Sequence, residues 1–111
     1  MALDFRVDLA PGQAAAMVDR AIVDGSVTGT LIGSHRVQGE GGRLCIVAVY
    51  EKHYWRAGNR LTLTVIIDNM DGATRVHSIS GGGGEGLFRF DWGAAGSFEG
   101  CVAEALAPFR L

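Results

Sequence analysis

Apolar residues in this chain recur first at every second position, then at every third or fourth, then at every second again. Leu3, Phe5, Val7 and Leu9 alternate with Ala2, Asp4, Arg6 and Asp8, the period of a strand with one buried face. Pro11 then suits a first helical turn, where its missing N–H costs nothing, and Ala14, Met17, Val18, Ala21 and Ile22 follow at helical spacing up to a stop at Gly25. From Val27 the period returns to two. The pattern predicts a strand near Val27–Val37, a turn at 39–42, a strand from Arg43 to about His53, a turn around 57–60 and a strong strand from Arg60 to Ile67. A tight hairpin through Asp68–Gly72 leads into a strand at Ala73–Ser80, and Leu87–Trp92 reads as a sixth. Phe98, Cys101, Val102, Ala105, Leu106 and Phe109 return at three and four residues, a second helix whose exposed first N–H groups Ser97 can cap.

The expected architecture is α+β: one domain over residues 1–111, in the order β-α-β-β-β-β-β-α. It has a mainly antiparallel sheet of five or six strands with both helices on one face. Side chains alternate strictly along a strand, so hairpin parity sorts the faces. Setting Glu51 opposite Arg60 places Leu44, Ile46, Ala48 and Tyr50 opposite Ile67, Val65, Leu63 and Leu61, a wholly apolar face that two amphipathic helices need. The same register sets Val65 beside Val76 and Val76 beside Phe90. The other face then carries Cys45, Val47, Val49, Thr62, Thr64, Ile66, Arg75, His77, Ile79, Leu87, Arg89 and Asp91. That mixture is too apolar for an ordinary wetted surface and too polar for a second core, so something is expected to cover it.

Composition narrows the function classes. A chain of 111 residues with 48% hydrophobic and 20% charged residues is a soluble globular type with a single core. A net charge of −2, with no basic block, supplies no field for nucleic acid. Apolar runs such as Cys45–Tyr50 are too short to cross a bilayer. Asp4 and Asp8 stand where a secretion signal would need an apolar run, so a cytoplasmic setting is expected, with Cys45 and Cys101 as reduced thiols.

Candidate chemistry is sparse. Ser80-Gly-Gly-Gly-Gly-Glu-Gly86 satisfies G-x-G-x-x-G, but it leads into the alternating Leu87–Trp92 rather than a helix, so no dipole or N–H cradle meets a phosphate. It reads as a turn. His35, His53 and His77 lack zinc-site spacing, no serine sits in a nucleophile elbow, and nothing calls for a cofactor or metal. Glu51 and Asp91 each draw an arginine in the expected registers, which keeps both ionised and structural. The remaining candidates lie on the second face. His77 is expected beside Thr64 and Arg89. Arg75 and Arg89 can hold a carboxylate or phosphate with His77 as donor or acid, or Arg75 and Asp91 can form a structural cross-strand ion pair with His77 a bystander. Trp55 and Arg60, flanking the hairpin tip, are candidates for partner contact or for local packing of the turn.

Val49-Tyr-Glu51, Gly58-Asn-Arg60-Leu-Thr-Leu63 and Ser78-Ile-Ser80-Gly-Gly82 resemble, in order and with similar gaps, a family of small bacterial single-domain proteins of uncharacterised function. The resemblance implies no activity and carries over no catalytic residue. The element order is also similar to a reduced helix-grip arrangement, which would imply a curved sheet wrapped around the C-terminal helix. Two functions follow from different classes. One is a non-catalytic binding or assembly module, a homodimer through the second face or a binder of a small molecule. The other is a small enzyme of cyclase or hydrolase type with a pocket between sheet and helix, lined by His77 or Glu51.

Overall fold

The computed structural model of the protein describes residues 2–25, 29–54, 59–82 and 99–111. Five antiparallel strands lie in the order β1-β5-β4-β3-β2. They are β1 (Ala2–Val7), β2 (Thr30–Gln38), β3 (Leu44–Tyr54), β4 (Asn59–Asp68) and β5 (Thr74–Gly82). Helix α1 (Pro11–Asp19) runs on into a π-helical turn, Arg20–Asp24, and helix α2 covers 99–106. No helix among the described residues is long and apolar enough to cross a membrane.

Helix α1 starts where Pro11 fixes φ, with Gln13 Oε1 accepting the Ala10 N–H at 3.0 Å. After the buried Pro11, its buried residues Ala14, Val18 and Ile22 are spaced by four. Four residues overshoot a 3.6-residue turn, and the wider turn at Arg20–Asp24 takes up the excess that keeps Ile22 on the sheet. Both helices pack on one face. Ala14, Val18 and Ile22, with Val102 and Leu106 of α2, close over Phe5, Val7, Val76, Leu61, Leu63, Val65, Ile67 and Tyr50. These strand residues have the parity that the alternation predicts.

The registers differ from expectation by two residues in both hairpins. Tyr50 faces Leu63 and Ala48 faces Val65, so Glu51 stands opposite Thr62, and Arg60 opposite His53. Pairing continues to Tyr54 and Asn59, leaving only four residues between the strands instead of the wider loop expected. The next hairpin shifts the same way, because Ile67 rather than Val65 faces Val76. Its loop closes on two local turns. Asp68 Oδ1 accepts the Met70 N–H at 3.1 Å, and the Gly72 N–H reaches Asn69 O at 3.0 Å. A shift of two preserves parity, which is why the faces survive the wrong register.

β5 has β4 on one side and β1 on the other, so Val76 neighbours Phe5 rather than Phe90. The first strand of the chain therefore fills the place expected for Leu87–Trp92, a segment outside the described residues, as is Ser97. The strand expected over 27–37 is observed at Thr30–Gln38. Its alternation is interrupted by a register shift between Leu31 and Gly33, a bulge that inserts Ile32.

The two sheet edges differ. Beyond β1 the C-terminal segment adds an antiparallel bridge, Val7 to Arg110, with the Asp8 N–H reaching Phe109 O at 2.7 Å and the Leu111 N–H reaching Arg6 O at 2.9 Å. Arg110 also lays its guanidinium over the Phe5 ring, 4.9 Å from the centroid. At the other edge, all nine residues of β2 are exposed. The central position of β4 gives a direct expectation. Amides of Leu61–Ile67 should be among the slowest to exchange with deuterium, and free exchange there would reject this strand order.

Candidate functional site

On the face away from the helices, the registers arrange side chains in rows across the sheet. One row reads Val37, Cys45, Asp68, Arg75, Arg6, and the next His35, Val47, Ile66, His77, Asp4. A third reads Gly33, Val49, Thr64, Ile79, Ala2, and the last begins Thr30, Glu51, Thr62. The middle of this open face is therefore Val47, Val49, Thr64, Ile66 and Ile79, with charge gathered toward β5 and β1. Val47, Val49 and Ile66 are half-buried by their neighbours alone, and Ile79 is 46% exposed.

The candidate residues come together only in part. Val47, Thr64, Arg75 and His77 share the face, but Thr64 lies between Val49 and Ile79 rather than beside His77. Arg60 is exposed at the far end of β4. Arg89, Asp91 and Trp55 lie outside the described residues. Arg75 has a partner inside the sheet, while Asp91, its expected partner, lies outside the described residues. Arg75 stands opposite Asp68, with Nε 3.8 Å from Oδ2, because β4 and β1 are its neighbours.

His77 is no bystander either: its Nδ1 lies 3.7 Å from Asp4 Oδ2 of β1. Arg6, opposite Arg75, donates to Asp71 at 2.7 Å, so each of two adjacent guanidiniums has its own carboxylate. The hydrogen bond from Arg6 holds the Asp71 carboxyl below its usual range; the pair is exposed and adds little stability. Glu51 faces Thr62, so the arginine partner expected for it is absent from its own row. His35 and His77 share a row three strands apart, about 14 Å at the usual strand spacing.

The helix side holds two polar pairs that the sequence reading missed. Tyr50 Oη donates to Asp19 Oδ1 at 3.1 Å. Burial, with the carboxylate beside it, pushes the phenol well above its ordinary pKa, so Tyr50 stays neutral and serves as a donor. A shallow groove of about 270 Å³ lies above it, between α1 and β2, lined by Ala15, Ala16, Asp19, Leu31, Arg36 and Ile46 among others. Under α2, Glu99 is 3% exposed, and its Oε1 accepts the Ser80 N–H at 3.1 Å and the Ser80 hydroxyl at 2.8 Å.

Glu99 was legible in principle, since it precedes Val102 by three and Leu106 by seven and so lies on the buried stripe. His77 and Glu51 sit on the opposite face from both helices, which removes them from any sheet-and-helix pocket. Replacing Tyr50 by Phe should cost about 1 kcal/mol in urea unfolding, the usual worth of one such hydrogen bond. A neutral result would show the Asp19 contact to be incidental.

A family model described as a family of unknown function (DUF6054) matches residues 2–110. No curated protein and no solved structure matches the chain.

Proposed function

The chain belongs to the DUF6054 family, a family of unknown function, and since membership brings no activity with it we propose, from the open face, that the protein is an assembly module whose copies pair sheet to sheet. The observation that supports this reading is the row pattern itself. Five strands carry an apolar centre of Val47, Val49, Ile66 and Ile79 on the side away from both helices. The surrounding polar groups already stand against partners: Arg75 against Asp68, and His77 against Asp4. A surface with an apolar centre and a paired polar margin has the anatomy of an interface.

Size agrees with that reading. Five strands about 4.8 Å apart and about 27 Å long make a patch of roughly 650 Å² per copy, near the lower limit of stable interfaces. Burying its apolar part is favourable by about 25 cal/mol per Å² before association costs. The same surface suits a two-fold contact, in which each copy offers the same patch.

A catalytic reading has less to support it. Among the described residues, the buried carboxylate of Glu99 is engaged by Ser80, and Tyr50 is held neutral. The groove above Tyr50 is the feature that would serve a small ligand instead. Light scattering at micromolar concentration tests the assembly reading. Twice the 11.7 kDa chain mass is expected, and a monomer would reject it.

A further inference from the structure

Of the six exposed large apolar side chains among the described residues, three gather on one strand: Leu31, Ile32 and Val37 of β2 are 42%, 57% and 49% exposed, while Met70, Ile79 and Leu111 stand singly. Among the described residues this strand pairs on one side only, and all nine of its residues are exposed. Its opposite number at the other edge, β1, is closed by the C-terminal bridge at Arg110. An uncovered edge usually carries protection in the form of charged side chains, proline, bulges or shortness. β2 has no proline, runs for nine residues and carries a single arginine, Arg36, and its one bulge lies near its start, leaving 33–38 regular.

We infer that β2 is a second, weaker self-association surface, where two copies join antiparallel into a continuous ten-stranded sheet. The register follows from three constraints. Edge pairing about a two-fold normal to the sheet keeps like faces together, so the paired residue numbers must sum to an even value. Centring on Ser34 would run the ladder through the bulge at Ile32. Centring on Arg36 would set two guanidiniums directly opposite each other, which is destabilising.

Centring on His35 avoids both. It puts Ser34 opposite Arg36 of the second copy and Val37 over the bare backbone of Gly33. Arg36 makes no ion pair among the described residues, so it is available to the facing hydroxyl. The ladder is about five residues long, which places the contact below the size of stable interfaces. It forms at higher concentration than the open-face pair, and it leaves that face clear because both sets of helices stay on the same side.

Sedimentation equilibrium from about 1 µM to 1 mM, with amide exchange on β2, tests this separately from the open-face reading. The Val47→Asp protein, with its open face disabled, should rise toward twice the chain mass at the upper end, with exchange at 33–38 slowing in step. Ser34→Arg, which faces arginine with arginine twice across the two-fold, should raise the midpoint concentration about tenfold. Adding Arg36→Asp to it should restore the midpoint, since both positions point away from the open face.

A Val47→Asp protein that stays monomeric throughout overturns the inference. So does doubling without β2 protection, or a Ser34→Arg protein that associates unchanged. If instead Val47→Asp leaves micromolar pairing intact, the open-face reading fails. The Ser34 and Arg36 variants then decide the edge in the wild-type background.

Discussion

Val47→Asp is expected to turn a micromolar dimer into a monomer while leaving the fold intact. Val47 sits in the second row of the open face, between His35 of β2 and Ile66 of β4, and is half-exposed in the single chain. A carboxylate there stays in water in the monomer, so unfolding should shift by no more than about 1 kcal/mol, the span of strand preferences. In a sheet-to-sheet pair the same group is enclosed. Breaking or omitting the partner of a buried charge costs about 3–5 kcal/mol, and two-fold symmetry imposes that cost twice. The dissociation constant should therefore weaken by well over a hundredfold. Val47→Thr, which keeps the branched shape without a charge, should lose far less. Equal light-scattering masses for Val47→Asp and wild type at micromolar concentration would reject the open face as the interface.

What the sequence could show of this face, and what it could not, have one cause. Alternation is a parity signal, and parity is immune to errors of two. Leu61, Leu63, Val65 and Ile67 were assigned to the core, and Thr64 and Ile66 away from it, although every cross-strand partner was misplaced. Register depends on loop geometry, which the Asp68 side chain and the Asn69 carbonyl decide locally. Rows, and hence ion pairs, are therefore what alternation leaves open. The expectation of an Arg75–Asp91 pair rests on consecutive strands being neighbours. β1 instead crosses over to pair with β5 and brings Asp4 to His77 and Arg6 to Arg75. No periodicity within a segment encodes which segment lies beside it. The bareness of β2 was also hidden. Its apolar residues, Leu31, Ile32 and Val37, look in sequence like any core strand, but the reach of the helices leaves Leu31 exposed, Ile32 sits in the bulge and Val37 lies on the open face.

That same reach makes a sharp prediction about stability. Leu63 is fully buried at the centre of β4, with Tyr50 and Ser80 as its cross-strand neighbours and the helix residues Val18 and Val102 in the same core. Truncation to Ala removes three carbons from a site walled on both sides by hydrogen-bonded strands, which cannot close the gap. Lost transfer energy and the residual cavity together put the cost in the upper part of the 2–5 kcal/mol range seen for such changes, about 4 kcal/mol. A domain of this size has only about 5–15 kcal/mol to lose, so Leu63→Ala should sit close to unfolding at 37 °C. Leu31, a leucine of identical volume on β2, is 42% exposed, and Leu31→Ala should cost under about 1 kcal/mol. Both belong in the Val47→Asp background and at one protein concentration, because association adds its own stability by mass action. Urea midpoints then compare two chemically equal truncations that differ only in cover. If Leu31→Ala proved as costly as Leu63→Ala, the helices would have to reach β2, and the bare edge from which self-association was inferred would not exist.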